Sequence, residues 1–246
     1  MSHAFTKREL REQRRAERQA AERAIAARAR QRRRLYQLGA TLGLAAVVVA
    51  VAVAVSSGGD TSRSPSQAAA LFAGIPERNG VLGDRKAPIT VTEFVDLQCP
   101  ICAEASRTTL PSLVRDYVKT GKVKLQARTL QFIGADSVRA ARVAAGAERQ
   151  GRLWPFLEAF YAAQKTENSG YVTDAFLRSV ASAAGVDAGA ALAYAGTSAA
   201  QQPLTQANAE ASRLGVTGTP TFAVAHGKGA PKVVSAQDLG AALAKG

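Results

Sequence analysis

Cys99 and Cys102 are the two cysteines of this 246-residue chain, and they stand three positions apart in DLQCPIC, Asp96 to Cys102. A disulfide across Pro100 and Ile101 closes a ring too small to cross-link distant parts of a fold, so the pair makes a poor structural staple. A structural zinc site needs four ligands, and His3 and His226 are the only imidazoles to add. Two readings remain. The cysteines form a dithiol that opens and closes, or they are half of a site completed by a second chain, clamping a soft ion such as Cu(I). One Met and two His give no Met-rich or His-rich tract for metal delivery. No metal or organic cofactor is called for.

A thiolate is the nucleophile of disulfide exchange, and a free cysteine with a pKa near 8.5 is mostly protonated at neutral pH. What could ionise one of these sulfurs is its place in the chain. ITVTEF, Ile89 to Phe94, alternates β-branched and polar residues before turning apolar, and it runs straight into the cysteines. It reads as a strand. Beyond Cys102, Leu110, Leu113, Val114, Tyr117 and Val118 recur at helical spacing until Gly121. Cys99 therefore lies just ahead of a helix, where unpaired N–H groups and the positive dipole end favour a thiolate. Cys102, one turn in, is shielded and suited to resolving a mixed disulfide. Pro100 and Ile101 between them set the balance of the two forms, and Ile101 offers neither a hydrogen bond nor a charge. Pro111 interrupts the helical pattern and predicts a kink.

The second strand, KVKLQARTLQF from Lys122 to Phe132, should lie parallel to the first, because a helix of crossover length joins them. A helical block follows, with apolar stripes at Leu153, Trp154, Leu157, Phe160 and Tyr161 and at Phe176, Leu177 and Val180. These stripes read as core. A helix from Leu204 to Leu214 closes at Gly215. GVTGTPTFAVAHGKGAPKVVS then gives a loop, a strand from Thr221 to Ala225, a Gly-rich turn and a strand around Val233, before a last helix from Gln237 to Lys245.

The region ahead of these elements places the chain. Leu38 to Val55 is an uninterrupted apolar run and reads as one membrane span, since about 20 such residues cross a bilayer as helix. It is too long, and sits too far from the start, for the apolar core of a cleaved signal peptide. The preceding segment carries most of the excess positive charge, in a chain of net charge +13 and pI near 10.3, with Arg32, Arg33 and Arg34 against the span. Basic flanks stay on the cytoplasmic side. Glu9, Glu12, Glu17 and Glu22 can pair with arginines along a helix and there are no interleaved aromatics, so this is a juxtamembrane segment rather than a nucleic-acid arm. The expected organisation is a basic cytoplasmic segment at 1–36, a transmembrane helix at 37–57, a flexible linker at 58–78 and a folded extracytoplasmic domain at 79–246. Outside the cytoplasm no thiol-reducing system holds a lone dithiol reduced, which favours a pair that cycles through its disulfide.

GDRKAPITVTEFVDLQCPIC, LPSLVRDYVKTGKVKLQAR, GRLWPFLEAFY and GVTGTPTF, in that order, resemble the DsbA-like thiol:disulfide oxidoreductases of bacteria, particularly their membrane-anchored branch. The resemblance covers about residues 79 to 246. It implies an α/β thioredoxin-like fold with an all-helical insertion at about 136–214. It implies that Cys99 is the attacked, exposed sulfur, that Cys102 resolves, and that Glu93 is a buried acid exchanging protons with Cys102. Glu93 could equally be a solvent-facing strand residue, and Asp96 lies in the approach to the loop. Pro220 matches the family's cis-proline facing the dithiol, with Thr219 offering backbone groups to an extended substrate. Reduced secreted proteins would be the substrates, and a quinone-linked membrane protein the redox partner. Reductase and isomerase activity remain alternatives within the same fold.

Overall fold

The computed structural model describes residues 65–244. The basic segment at 1–36, the span at 37–57 and the first part of the linker at 58–64 lie outside the described residues. Among those described, no helix is long and apolar enough to cross a membrane.

The sheet is built around Ile89–Val95 (β3), the strand that leads into the cysteines. Val123–Thr129 (β4) lies parallel to it from Ile89↔Val123 to Val95↔Thr129, as the helical crossover between them requires. Thr221–His226 (β5) pairs antiparallel on its other side, and Lys232–Val234 (β6) forms the far edge. Short strands Glu77–Arg78 (β1) and Val81–Leu82 (β2) extend the opposite edge, so the order is β1-β2-β4-β3-β5-β6. Side chains alternate across the sheet. Ile89, Val91 and Val95 join Leu125, Ala127, Phe222 and Val224 in the main core, while Phe94 and Ala223 face a smaller cluster with Leu130 on the other side.

The crossover opens as a helix, Pro100–Thr108 (α2), that breaks and resumes as Leu110–Leu113 (α3) and then widens into a π turn at Val114–Val118. Pro111 has no N–H to offer the carbonyl four residues back, which accounts for a break here as the sequence predicts. Lys119 N–H reaches the Val114 carbonyl at 2.9 Å, the longer loop of a π turn, and Gly121 at φ 73° turns the chain toward β4.

The helical block comprises Gly134–Arg149 (α4), Leu153–Ala162 (α5), Asp174–Ala183 (α6), Ala188–Ala195 (α7) and Gln201–Leu214 (α8), with a 3-10 turn at Ser198–Ala200. Thr173 and Asp187 cap α6 and α7 by accepting the N–H groups of Phe176 and Ala190. Gly146 lets α4 approach α7, since a Cβ there would lie 2.7 Å from the Ala191 backbone. The two apolar stripes are core, with Trp154, Phe160 and Leu177 fully buried. The last helix of the block, α8, crosses to the smaller cluster, where Ala207 and Ala211 meet Phe94. The C-terminal helix is Leu239–Leu243 (α9).

One expectation gives way. Residues 65–78, assigned to the flexible linker, are folded: Pro65–Ala70 is helical (α1), and Ala68 and Phe72 are buried, with Phe72 6.2 Å from Trp154. The small and polar residues before this stretch suggest a tether, but Phe72 supplies an apolar anchor that α5 covers.

Candidate active site

The loop between β3 and α2 is held by Asp96. Its Oδ1 accepts the N–H of Gln98 at 2.8 Å, while Oδ2 accepts the N–H groups of Phe132 (2.7 Å) and Ile133 (3.2 Å) and the hydroxyl of Ser137 (2.7 Å). A fully buried carboxylate with this many donors fixes the loop against the segment after β4. The Asp96 carbonyl accepts the N–H of Cys99 at 3.0 Å and the hydroxyl of Tyr161 at 3.3 Å. This tie hands Cys99 to the helix as its N-cap. Cys99 is extended (φ −73°, ψ 118°), Pro100 starts the first turn, and Sγ accepts the Cys102 N–H at 3.4 Å.

The two thiols, both free, are chemically unequal. Cys99 is lowered from the ordinary value of 9.0 to about 6. Its largest cause is the Cys102 thiol donating to its sulfur. Burial opposes, and Thr219 and the N–H groups of Cys102 and Ile101 add to the lowering. In its neutral form the Cys99 thiol donates to the Thr219 carbonyl at 3.3 Å, a contact that ionisation gives up. Cys102 moves far the other way. Burial is the main reason, and the Cys99 sulfur adds to it. Cys99 is itself 6% exposed, more enclosed than the resemblance implies, against 1% for Cys102. Ile101 between them is 64% exposed, so it presents an apolar surface beside the dithiol.

Glu93 points into the main core on the same face as Val91 and Val95, with Ala127 and Phe222 as its cross-strand neighbours. It is buried, and burial raises its carboxyl from 4.5 to about 7. The solvent-facing alternative is thereby removed. Tyr161 is also buried, and its hydroxyl is raised by burial first and then by Cys102, Glu93, Asp96 and Glu158. The peptide between Thr219 and Pro220 is cis. Among the described residues no group of three His, Cys, Asp or Glu could hold a metal ion. His226 ends β5, beside Ala242 rather than the dithiol.

A strand-helix junction carrying an N-cap cysteine with a lowered pKa, and a family model described as thioredoxin matching residues 77–244, decide the relationship. The chain belongs to the thioredoxin family. Within it, a relative described as probable disulfide bond formation protein D from Bacillus anthracis is 30% identical over 149 residues, 60% of this chain and 66% of that protein, just under two thirds of its length. The crystal structure of oxidised BdbD from Bacillus subtilis superposes with a TM-score of 0.59 at 23% identity, covering 70% of this chain and 95% of that one. A thioredoxin-like oxidoreductase from Silicibacter pomeroyi gives 0.54 at 28% identity, covering 72% and 95%. Residues 77–244 form a thioredoxin-family domain, and the chain is similar to disulfide bond formation protein D.

Of the residues singled out by sequence, this thioredoxin-family fold gathers Cys99, Cys102 and Thr219 around one sulfur pair and puts Pro100 and Ile101 in the first helical turn. Sequence reasoning missed the supports. Asp96, Gln98, Tyr161 and Gln164 all bond to the loop or lie in it, and five of these bonds join residues more than sixty positions apart. The one local signal was Asp96 itself, an acid two residues before Gln98, the spacing of a side chain that turns its own backbone.

Proposed function

We propose that this chain is a membrane-anchored, extracytoplasmic thiol oxidase that introduces disulfides into reduced secreted proteins through the Cys99–Cys102 pair. The observation that carries the reading is the inequality of the two sulfurs. A thiolate stabilised at Cys99 favours the reduced form, and stabilising the reduced form makes the disulfide the stronger oxidant. It also makes Cys99 the better leaving group.

A substrate thiolate attacks Cys99 Sγ, forming the mixed disulfide as the Cys99–Cys102 bond breaks. The electron pair goes to Cys102, whose burial demands a proton with it. Glu93, a carboxyl that still holds its proton near neutral pH, is the acid from which that proton is drawn. A second thiolate of the same substrate then attacks the substrate sulfur, and Cys99 leaves as a thiolate. The substrate has lost two electrons, which the dithiol passes to a quinone-linked membrane partner. Thr219 and Pro220, beside Cys99, receive the extended substrate through backbone groups, and exposed Ile101 meets its apolar side chains.

Two measurements test this. A redox potential in glutathione buffers between about −120 and −150 mV fits an oxidase, whereas one near −270 mV makes the chain a reductase. In cells, Cys102→Ser should accumulate reducible mixed disulfides on Cys99, and Cys99→Ser should trap far fewer. A Cu(I) clamp would treat the two substitutions alike, and equal absence of adducts would overturn the exchange reading.

A further inference from the structure

The end of α5 reaches back over the dithiol loop. Gln164 follows its last turn, held there by its own N–H on the Tyr161 carbonyl at 3.3 Å. Its side-chain Nε2 donates to the Leu97 carbonyl at 2.7 Å and to the Cys99 carbonyl at 3.3 Å. The following segment continues the contact: Asn168 N–H donates to Gln98 Oε1 at 2.8 Å, and Gln98 Nε2 donates to the Tyr171 hydroxyl at 2.8 Å. Leu97 and Gln98 are fully buried, so these groups have no water to fall back on.

We propose that Gln164 is a positioning residue for the redox chemistry, tying the carbonyls on either side of Gln98 to the end of α5 and so holding the Cys99 sulfur at the N–H groups that open α2. This rests on the disulfide-exchange reading above. The sulfur accepts the Cys102 N–H at 3.4 Å, and rotation about Cys99 ψ turns the sulfur away from that N–H. Gln164 shares in fixing that rotation, because with the Ala103 N–H at 3.2 Å it holds the carbonyl on the same bond. Without its amide, the Leu97 carbonyl is left buried without this donor, the loop relaxes, and the Cys99 thiolate loses its partners. The reduced form is then less favoured and the disulfide becomes a weaker oxidant.

The test uses the full chain in detergent, with Gln164→Met to remove the donor while keeping length and volume, Gln164→Ala as the larger deletion, and Ser169→Ala as a control in the same segment. Ser169 is exposed, and its hydroxyl bonds within that segment, to Thr166. The Cys99 titration is read from thiolate absorbance and from alkylation rate against pH, and the oxidising strength from the equilibrium constant with glutathione. Gln164→Met should raise the titration midpoint by half a unit or more and move the equilibrium at least threefold toward the disulfide, with Ser169→Ala unchanged. The proposal is overturned if Gln164→Met titrates and equilibrates like the parent, if Ser169→Ala moves both quantities as far, or if neither Gln164 variant folds, which would make the residue structural. Should only Gln164→Ala unfold, Gln164→Met decides. Failure of the function itself is separable, since a parent chain that oxidises no reduced peptide still gives a Cys99 titration.

Discussion

At pH 7 a thiol with a pKa near 6 is about nine-tenths ionised, so Cys99 stands as a thiolate while Cys102 keeps its proton. Glu93 shifts in the opposite sense to Cys99, and that sets a pH dependence. Its folded pKa of about 7 lies above the ordinary 4.5, so its protonated form is favoured in the native state. The stability this gives is present below pH 4.5 and lost as pH rises through about 7. Glu93→Gln, always neutral, should therefore flatten the fall in stability between pH 5 and pH 8, by on the order of 3 kcal/mol at the alkaline end. Urea unfolding at the two pH values measures it. Glu77 is raised to about 7 as well and stays in both proteins, so some slope should survive. Identical slopes would mean that Glu93 ionises in the native state with no penalty. The placement of the two sulfurs was legible in the sequence because it depends on a three-residue spacing at a strand-helix junction. Gln164 and the long-range contacts of Asp96 were not, because a hydrogen bond to a backbone group many residues away leaves no pattern along the chain; only the Asp96 bond to the Gln98 N–H is local.

Elements with a period were legible and those without one were not. β3, β4 and the helices of the block each alternate or repeat over seven residues or more, and Pro111 announces the break in the crossover helix. β1 and β2 are two residues each, too short to show alternation, and α1 is recognisable only through what it packs on. The same holds for the start of α5, where Arg152 precedes the helix with no side-chain cap. Its open N–H groups are met by Glu77 of β1, which accepts from Leu153 at 2.6 Å and Trp154 at 3.3 Å. Trp154 in turn donates its indole N–H to the Gly80 carbonyl at 3.0 Å, so the β1–β2 hairpin and α5 lock each other. Glu77→Ala orphans two buried donors and should cost about 1–3 kcal/mol. Glu77→Gln keeps an acceptor and, at pH 6 where the parent carboxyl is largely protonated, should stay within about 1 kcal/mol of the parent. Chemical unfolding of both variants at pH 6 decides it, and equal losses would mean that a single amide oxygen does not satisfy the two N–H groups at this junction.

For the whole molecule, place and chemistry divide along the chain. The groups around the dithiol and those proposed to act on it, from Glu93 through Asp96, Tyr161 and Gln164 to Thr219, lie between residues 93 and 219. On the function proposed above, the apolar run at Leu38 to Val55 and the arginines before it would supply an address. Removing residues 1–57 should therefore leave the Cys99 titration midpoint and the glutathione equilibrium constant unchanged within a factor of about two, less than a third of a unit in pKa. What should change is where the protein is found. The intact chain should stay with the membrane through a carbonate wash, and protease added outside intact cells should remove the thioredoxin-family domain while leaving the basic segment protected. The shortened chain should wash off. Recovery of the intact chain in the carbonate supernatant would sink the anchor, and protection of the domain from external protease would reverse the topology. A shift in the Cys99 midpoint on removing residues 1–57 would mean that the segment touches the site, in which case the span would serve the chemistry as well as the location.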